Sequence, residues 1–199
     1  MKHFYLVTIF FILPFFSFSQ SIIWEENFDE QVGKGVSGDN SGGLIVDLDD
    51  VNWTLDYSQC TFSAEDDFVK VAPYFSGGRF TARDCDGEAI WESDPIDISD
   101  YTDIQVAANI GETGSSNNAA SKYIKLYTVV DGIEKPFTNN PEGLGNFASL
   151  TASSVISSGS ELKIRVKLRT DFAQNVYFDN VKVSGRSNKL DVTMRLRPR

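Results

Sequence analysis

Hydrophobic and polar residues alternate with a period of two along much of this chain. The clearest stretch is 161–170, where Leu162, Ile164, Val166 and Leu168 interleave with Lys163, Arg165, Lys167 and Arg169. Successive strand side chains point to opposite faces, so this pattern predicts one buried and one wet face. Stretch 103–111 repeats it, with Ile104, Val106, Ala108 and Ile110 set against Gln105, Ala107 and Asn109. Short runs of the same kind at 22–28, 51–57, 68–72, 78–83, 89–91, 123–130 and 176–183 are bounded by Gly, Asp, Asn or Ser. Nine strands separated by polar turns, with almost no helical periodicity, predict an all-β fold of two antiparallel sheets packed face to face. The longer connections at 29–43 and 111–121 favour a jelly-roll β-sandwich over a meander barrel.

The two ends depart from the pattern. Residues 1–19 start with Lys2 and His3, run apolar from Phe4 to Phe16, and finish with small residues at Ser17 and Ser19. That layout predicts a secretory signal peptide cut before Gln20. The apolar run is short for a bilayer span, and no other stretch approaches spanning length. The expected sandwich occupies 20–185. Residues 186–199 are basic, lose the alternation, and read as a disordered extension.

Composition narrows the chemistry. With 41% hydrophobic and 13% aromatic residues, the 199-residue chain can bury one substantial core. Its only histidine is His3, inside the expected signal peptide. The exported chain therefore lacks the imidazole of Ser-His-Asp and Cys-His nucleophile systems and of His-ligated metals. The net charge of −10 splits into +6 over 161–199 and −16 over 1–160, so nucleic acid is not an expected partner. The basic row from Lys163 to Arg169 reads either as a solvated strand face or as an anion-binding face for acidic polysaccharide. Cys60 and Cys85, as an even pair in an exported chain, are expected to form a disulfide.

Carboxylates gather at the turns. Glu26 and Asp29 flank the first strand and Asp179 lies in the last, a donor set suited to Ca²⁺, which takes oxygen ligands. Asp84, Asp86 and Glu88 alternate around Gly87 as a second acidic loop, more in the manner of a polar turn than of a calcium loop. Glu92 and Asp94 are the one pair spaced like glycosidase carboxylates, but Pro95 beside them argues for an edge or a turn. For ligand binding, Ile124, Leu126, Thr128 and Val130 read as a core row, which leaves Tyr123, Lys125 and Tyr127 on a wet face. With Gln105 and Asn109 on an expected neighbouring strand, they would form a saccharide platform, since flat rings match the C–H face of a sugar. The opposite reading buries the two tyrosines. Trp24, Trp53 and Trp91 sit in strands as expected core residues.

The segments NFDE, DDVNWTLD, IWESDPIDIS and YFDNVKVSG resemble jelly-roll modules of exported proteins. These include concanavalin A-like and MAM-like domains, jelly-roll carbohydrate-binding modules, and modules in surface proteins of Bacteroidetes-type bacteria. The resemblance spans nearly all of 22–185. It implies a structural calcium held by Asp29 and Asp179, although Asn180 stands where a second Asp is frequent and the several cysteines of MAM domains are missing. It implies a secreted or cell-surface, non-catalytic module that binds polysaccharide or a cell-surface glycan. A spacer domain of a larger surface protein and a small polysaccharide-degrading enzyme are the alternatives.

Overall fold

The computed structural model describes residues 20–38, 45–46, 51–114, 120–141 and 148–189. The expected signal peptide at 1–19 and most of the basic tail lie outside the described residues. The chain forms β1 (Ser21–Glu26), β2 (Gly35–Ser37), β3 (Ile45–Val46), β4 (Trp53–Asp56), β5 (Phe68–Tyr74), β6 (Gly77–Arg83) and β7 (Glu88–Ser93). It continues with β8 (Ile96–Asp97), β9 (Tyr101–Glu112), β10 (Lys122–Val130), β11 (Ile133–Pro136), β12 (Ser149–Ile156), β13 (Glu161–Thr170) and β14 (Asn175–Ser187). The one helical element among the described residues is a 3₁₀ turn, Asp29–Gln31.

All pairings among the described strands are antiparallel, in two sheets, as the alternation predicts. The larger sheet runs β12-β9-β14-β6-β5-β2-β3, with β1 also on β14. The smaller runs β11-β10-β13-β7-β4, with β8 also on β13. The fold is a jelly-roll β-sandwich. Each of the nine expected strands is present, and the last extends two residues beyond the expected boundary at 185. There Arg186 pairs with Asp103 at 3.1 Å.

The inward rows of both sheets meet in one apolar core. At its centre Phe80 and Phe178 of the larger sheet pack on Trp53 and Trp91 of the smaller. Centroid separations are 4.1 Å for Phe80–Trp91 and 5.6 Å for Trp53–Phe178. Phe28, just after β1, fits its ring edge-on against Phe178 at 5.3 Å. Such tilted and edge-to-face contacts add to the burial of ring area. Trp24 is only partly buried and leans on Trp53 at 5.9 Å.

Between β9 and β10 the chain crosses from one layer to the other. Lys122, fully buried at the start of β10, pins that crossing by donating to the Thr113 carbonyl and, at 2.6 Å, to Gln174 Oε1. Burial lowers its pKa. A polar tie of this sort is invisible to pattern reading, since Lys122 falls just before the expected strand at 123–130.

Cys60 and Cys85 are free thiols here, not the expected disulfide. They are nonetheless hydrogen-bonding neighbours, and that bond raises the Cys60 pKa and lowers that of Cys85. The Thr61 amide donates to the Cys85 carbonyl at 2.9 Å, holding the two loops together.

The aromatic centre generates a stability prediction. Phe178→Ala removes the ring shared by Phe28, Trp53 and Phe80, and should cost about 3–5 kcal/mol. Urea unfolding checks this: the midpoint should fall with little change in the slope.

Candidate ligand-binding groove

The outer face of the larger sheet holds a groove of about 360 Å³ between the β5–β6 hairpin and β12. Strand register builds it. Thr151, Asn109 and Asp179 lie directly opposite one another on β12, β9 and β14. One row along, Ser149, Gly111, Tyr177 and Thr81 do the same across β12, β9, β14 and β6. A Cβ on Gly111 would run into the outer end of the Tyr177 ring. The ring thus lies down across the sheet.

Arg79 is diagonal to Tyr177 through Thr81 and diagonal to Tyr74 through Gly77, within reach of both rings. Its guanidinium carbon sits 3.7 Å from the Tyr177 centroid and 4.0 Å from that of Tyr74. The cation is therefore sandwiched between two tyrosines, an arrangement favoured by the ring quadrupoles. Phe75, 92% exposed at the hairpin tip with φ 50°, packs edge-on against Tyr74 at 4.4 Å. Thr151 Oγ1 donates to Asn109 Oδ1 at 3.0 Å.

Behind this groove β1 leaves β14 and β6 takes its place on the same edge. The junction gathers the acids expected to bind calcium. Asp29 Oδ1 accepts from the Gly78 amide at 3.2 Å, and a Cβ on Gly77 would strike the Asp29 carboxylate. Glu26 Oε1 accepts from the Phe28 amide at 2.8 Å. Asp179 accepts from the Asn180 amide at 2.7 Å and from its side chain at 3.0 Å. Burial first, then repulsion from Asp29 and Glu26, pushes Asp179 up to about 6, against the pull of the Asn180 amide and Arg79. The oxygen donors suit a hard cation and repel one another without one. Among the described residues, no group of three or more acidic, Cys or His side chains is placed so that it could hold a metal ion.

The expected saccharide platform does not form. Tyr123, Lys125 and Tyr127 do face outward, as the core row of Ile124, Leu126 and Thr128 predicts. However, β10 belongs to the smaller sheet and β9 to the larger, so Gln105 and Asn109 open on the opposite side of the molecule. The crossing at 113–121 separates two strands that are adjacent in sequence. Only Asn109 lines the groove; Gln105, four residues back on β9, is about 13 Å away at the rise of an extended strand. The Tyr123 hydroxyl donates to Glu88 at 2.6 Å, and burial with that bond raises its pKa. Lys125 lies over the Tyr123 ring at 4.8 Å and Lys167 over the Tyr127 ring at 4.4 Å.

The basic row is likewise occupied. Lys163 meets Glu92 at 3.1 Å, Arg165 bridges Glu92 and Glu134, Lys167 meets Glu134 at 3.1 Å, and Arg169 meets Asp171 at 2.8 Å. Burial works to raise the Glu92 pKa, but hydrogen bonds from Lys163 and Arg165 hold it below the ordinary glutamate range. A carboxylate kept ionised in this way is a poor general acid. Pro95 falls in the break between β7 and β8, as its ring requires. In the second acidic loop, Asp84 and Asp86 take left-handed turn conformations at φ 43° and 45°, while Glu88 is engaged by Tyr123.

No family model and no curated protein sequence matches this chain. Its structure is similar to solved β-sandwich modules at low sequence identity. A cleaved adhesin domain of Lys-gingipain from Porphyromonas gingivalis aligns at TM-score 0.43 and 13% identity, over 83% of this chain and 99% of that one. The CBM22-1 xylan-binding domain of Paenibacillus barcinonensis Xyn10C aligns at TM-score 0.41 and 11% identity, over 86% and 97%. A carbohydrate-binding module of Cellvibrio mixtus lichenase 5A, solved with cellotriose, aligns at TM-score 0.34 and 10% identity, over 82% and 97%. At these scores none of the likenesses identifies a ligand for this chain. Among the described residues no helix is long and apolar enough to cross a membrane.

Tyr74, Arg79 and Tyr177 escape sequence reading, although Tyr177 carries a signal in its alternation with the buried Val176 and Phe178. Arg79 carries none without the register of the β5–β6 hairpin. The Glu92 ion pairs yield a pH prediction. A carboxylate with a depressed folded pKa stabilises above its unfolded value, near 4.5 here, and loses that contribution as pH falls through the folded value. Glu92→Gln should therefore lower stability at neutral pH, and the gap to the parent should close as pH drops below about 4. Urea midpoints measured across that range check it.

Proposed function

We propose that this chain is an exported, non-catalytic carbohydrate-binding or cell-surface adhesion module, whose ligand lies in the groove on the outer face of the larger sheet. The observation that carries the reading is the Tyr74–Arg79–Tyr177 stack beside Asn109, Thr151 and Asp179. Rings supply flat apolar surface for sugar C–H faces, and amide, hydroxyl and charged groups supply hydroxyl partners. Among the described lining residues Asp179 is the one carboxylate, without the second carboxylate that glycoside hydrolysis uses, which suits retention better than turnover. The signal-peptide layout of 1–19 supports export.

Retention on insoluble or gel-embedded polysaccharides tests the reading. At least one polymer should retard the parent chain. Tyr177→Ala and Arg79→Ala, which alter only the outer face, should each weaken binding by about tenfold or more, the scale of a stacking or charge-assisted contact in a binding centre. Retention of both variants equal to the parent overturns the assignment of the groove.

Calcium and a disulfide are two further elements of this reading. Asp29, Asp179 and Glu26 would hold the ion where β1, β14 and the β5–β6 hairpin meet, tying the first strand to the last. Mutual repulsion at Asp179 and the oxygen donor set support it. The neighbouring thiols support a Cys60–Cys85 bridge in an oxidising compartment. One thermal-melt series checks both. Excess Ca²⁺ over EDTA should raise Tm in the parent but not in Asp29→Asn, by mass action on the folded state. Oxidised protein should be lighter by two hydrogens and melt higher than reduced protein. No Tm response to Ca²⁺, or unchanged mass on oxidation, removes the corresponding element.

A further inference from the structure

We propose that the groove recognises a neutral glycan, with Arg79 and Asp179 reading adjacent sugar hydroxyls, and that it turns away polyuronates and sulfated glycans. This rests on the carbohydrate-binding reading above and specifies its ligand class.

Arg79 is unusual for a surface arginine. Its guanidinium carbon lies within 4.0 Å of two tyrosine ring centroids, yet its N–H groups make no hydrogen bond to another described residue. The stack fixes the plane of the fork and leaves its edge for a ligand, so little side-chain freedom is lost on binding. Taken alone, such a fork would invite a carboxylate or sulfate.

Its surroundings decide otherwise. Asp179 lines the same groove, and its charge interacts with Arg79 and also with Asp29 and Glu26 behind it. With all three acids ionised against one guanidinium, the local sum is negative. Even a divalent cation bound among the acids brings it only to neutral, never to a net positive charge. A fork donor beside a carboxylate acceptor matches a pair of hydroxyls, each of which both donates and accepts. Both Asp179 oxygens already receive one hydrogen bond from Asn180 and keep acceptor capacity for a hydroxyl. A ligand carboxylate at Arg79 would meet like charge at close range.

Among the described residues, many cations elsewhere on the outer faces are met by carboxylates. Each cation of the basic row on the smaller sheet is paired with Glu92, Glu134 or Asp171. On the larger sheet Lys182 stands directly opposite Glu25, Arg83 meets Asp66 at 2.8 Å, and Arg186 meets Asp103 at 3.1 Å. The formal net charge of −10 adds long-range repulsion of any anionic polymer.

The test uses the full chain in gel retardation at about pH 8, where carboxylates are ionised. The panel contains neutral polymers (xylan, mannan, mixed-linkage glucan, galactan) and acidic ones (polygalacturonate, hyaluronate, chondroitin sulfate). One or more neutral polymers should retard the protein and none of the acidic ones should. The retained polymer is then compared as its hydroxyethyl and carboxymethyl derivatives at equal substitution. The carboxymethyl form should bind about tenfold or more weakly than the hydroxyethyl form at low salt, the gap narrowing at about 0.5 M NaCl as screening sets in. Asp179→Asn should narrow the same gap by removing the repelling charge. Retention by an acidic polymer, or equal binding of the two derivatives, overturns the inference and leaves the binding reading standing. Retention by no polymer overturns the binding reading and this inference with it.

Discussion

One edge of β14 serves two strands in turn, and the rest of the molecule depends on that change of partner. From Asn175 to Phe178 the edge is taken by β6, and from Val181 to Gly185 by β1. The opposite edge stays with β9 throughout, its register shifting between Asp179 and Lys182. Because β1 is the first described strand and β14 the last, this exchange ties the two ends of the sandwich into the middle of the larger sheet. The exchange also creates the surface features that carry chemistry. Phe28 turns left-handed at φ 58° to bury its ring, which swings Asp29 under the hairpin glycines and toward Asp179. Asn180, at φ 49°, does the same for the backbone of β14. Left-handed conformations at a bulky residue cost energy, and the burial of Phe28 against Phe178 and Trp53 offsets it here.

Period-two patterning made the architecture legible where one face is fully apolar. The inward residues of β13, Leu162 to Leu168, and of β9, Ile104 to Ile110, are buried as the alternation requires. It failed where a strand buries little. The edge strand β12, SLTASSVI, hides only Ala152, Ser154 and Ile156, so its serines and threonines read as a loop. β2, β3 and β8 are two or three residues long, too short for any period to show. Edge strands with small polar residues are also how a sheet discourages further pairing, so weak patterning there has a physical cause.

The site was legible one residue at a time but not as an assembly. Asn109 and Asp179 stand out as polar residues opposed to apolar rows, and they prove to be direct cross-strand partners. Which tyrosines join them depends on the layer each strand enters, and local sequence does not encode that. Neighbours in the chain, β9 and β10, went to opposite sheets, whereas the distant β6 and β14 became adjacent. Long-range register therefore substituted Tyr177 and Tyr74 for Tyr123 and Tyr127. The same register put Glu92 opposite Arg165 and Glu88 opposite Arg169, and Glu92 and Glu134 reach Lys163 and Lys167, so a row that looks strongly basic in one dimension is paired with acids in three.

The two outer faces consequently differ in kind. On the smaller sheet, aromatic rings and cations are used up on each other and on carboxylates, and the result is a tied, solvated surface. On the larger sheet one guanidinium is held rigid by two rings without having its donors consumed. Rigidity without satisfaction is costly in a folded protein unless something else recovers the energy, because a stacked arginine gives up rotamer freedom and part of its hydration. Surface ion pairs such as Arg169–Asp171 contribute little and need no ligand to explain them. The Tyr74–Arg79–Tyr177 stack differs, because its order prepares donors for an acceptor that no other described residue provides, in a groove whose acids restrict which acceptor can come close.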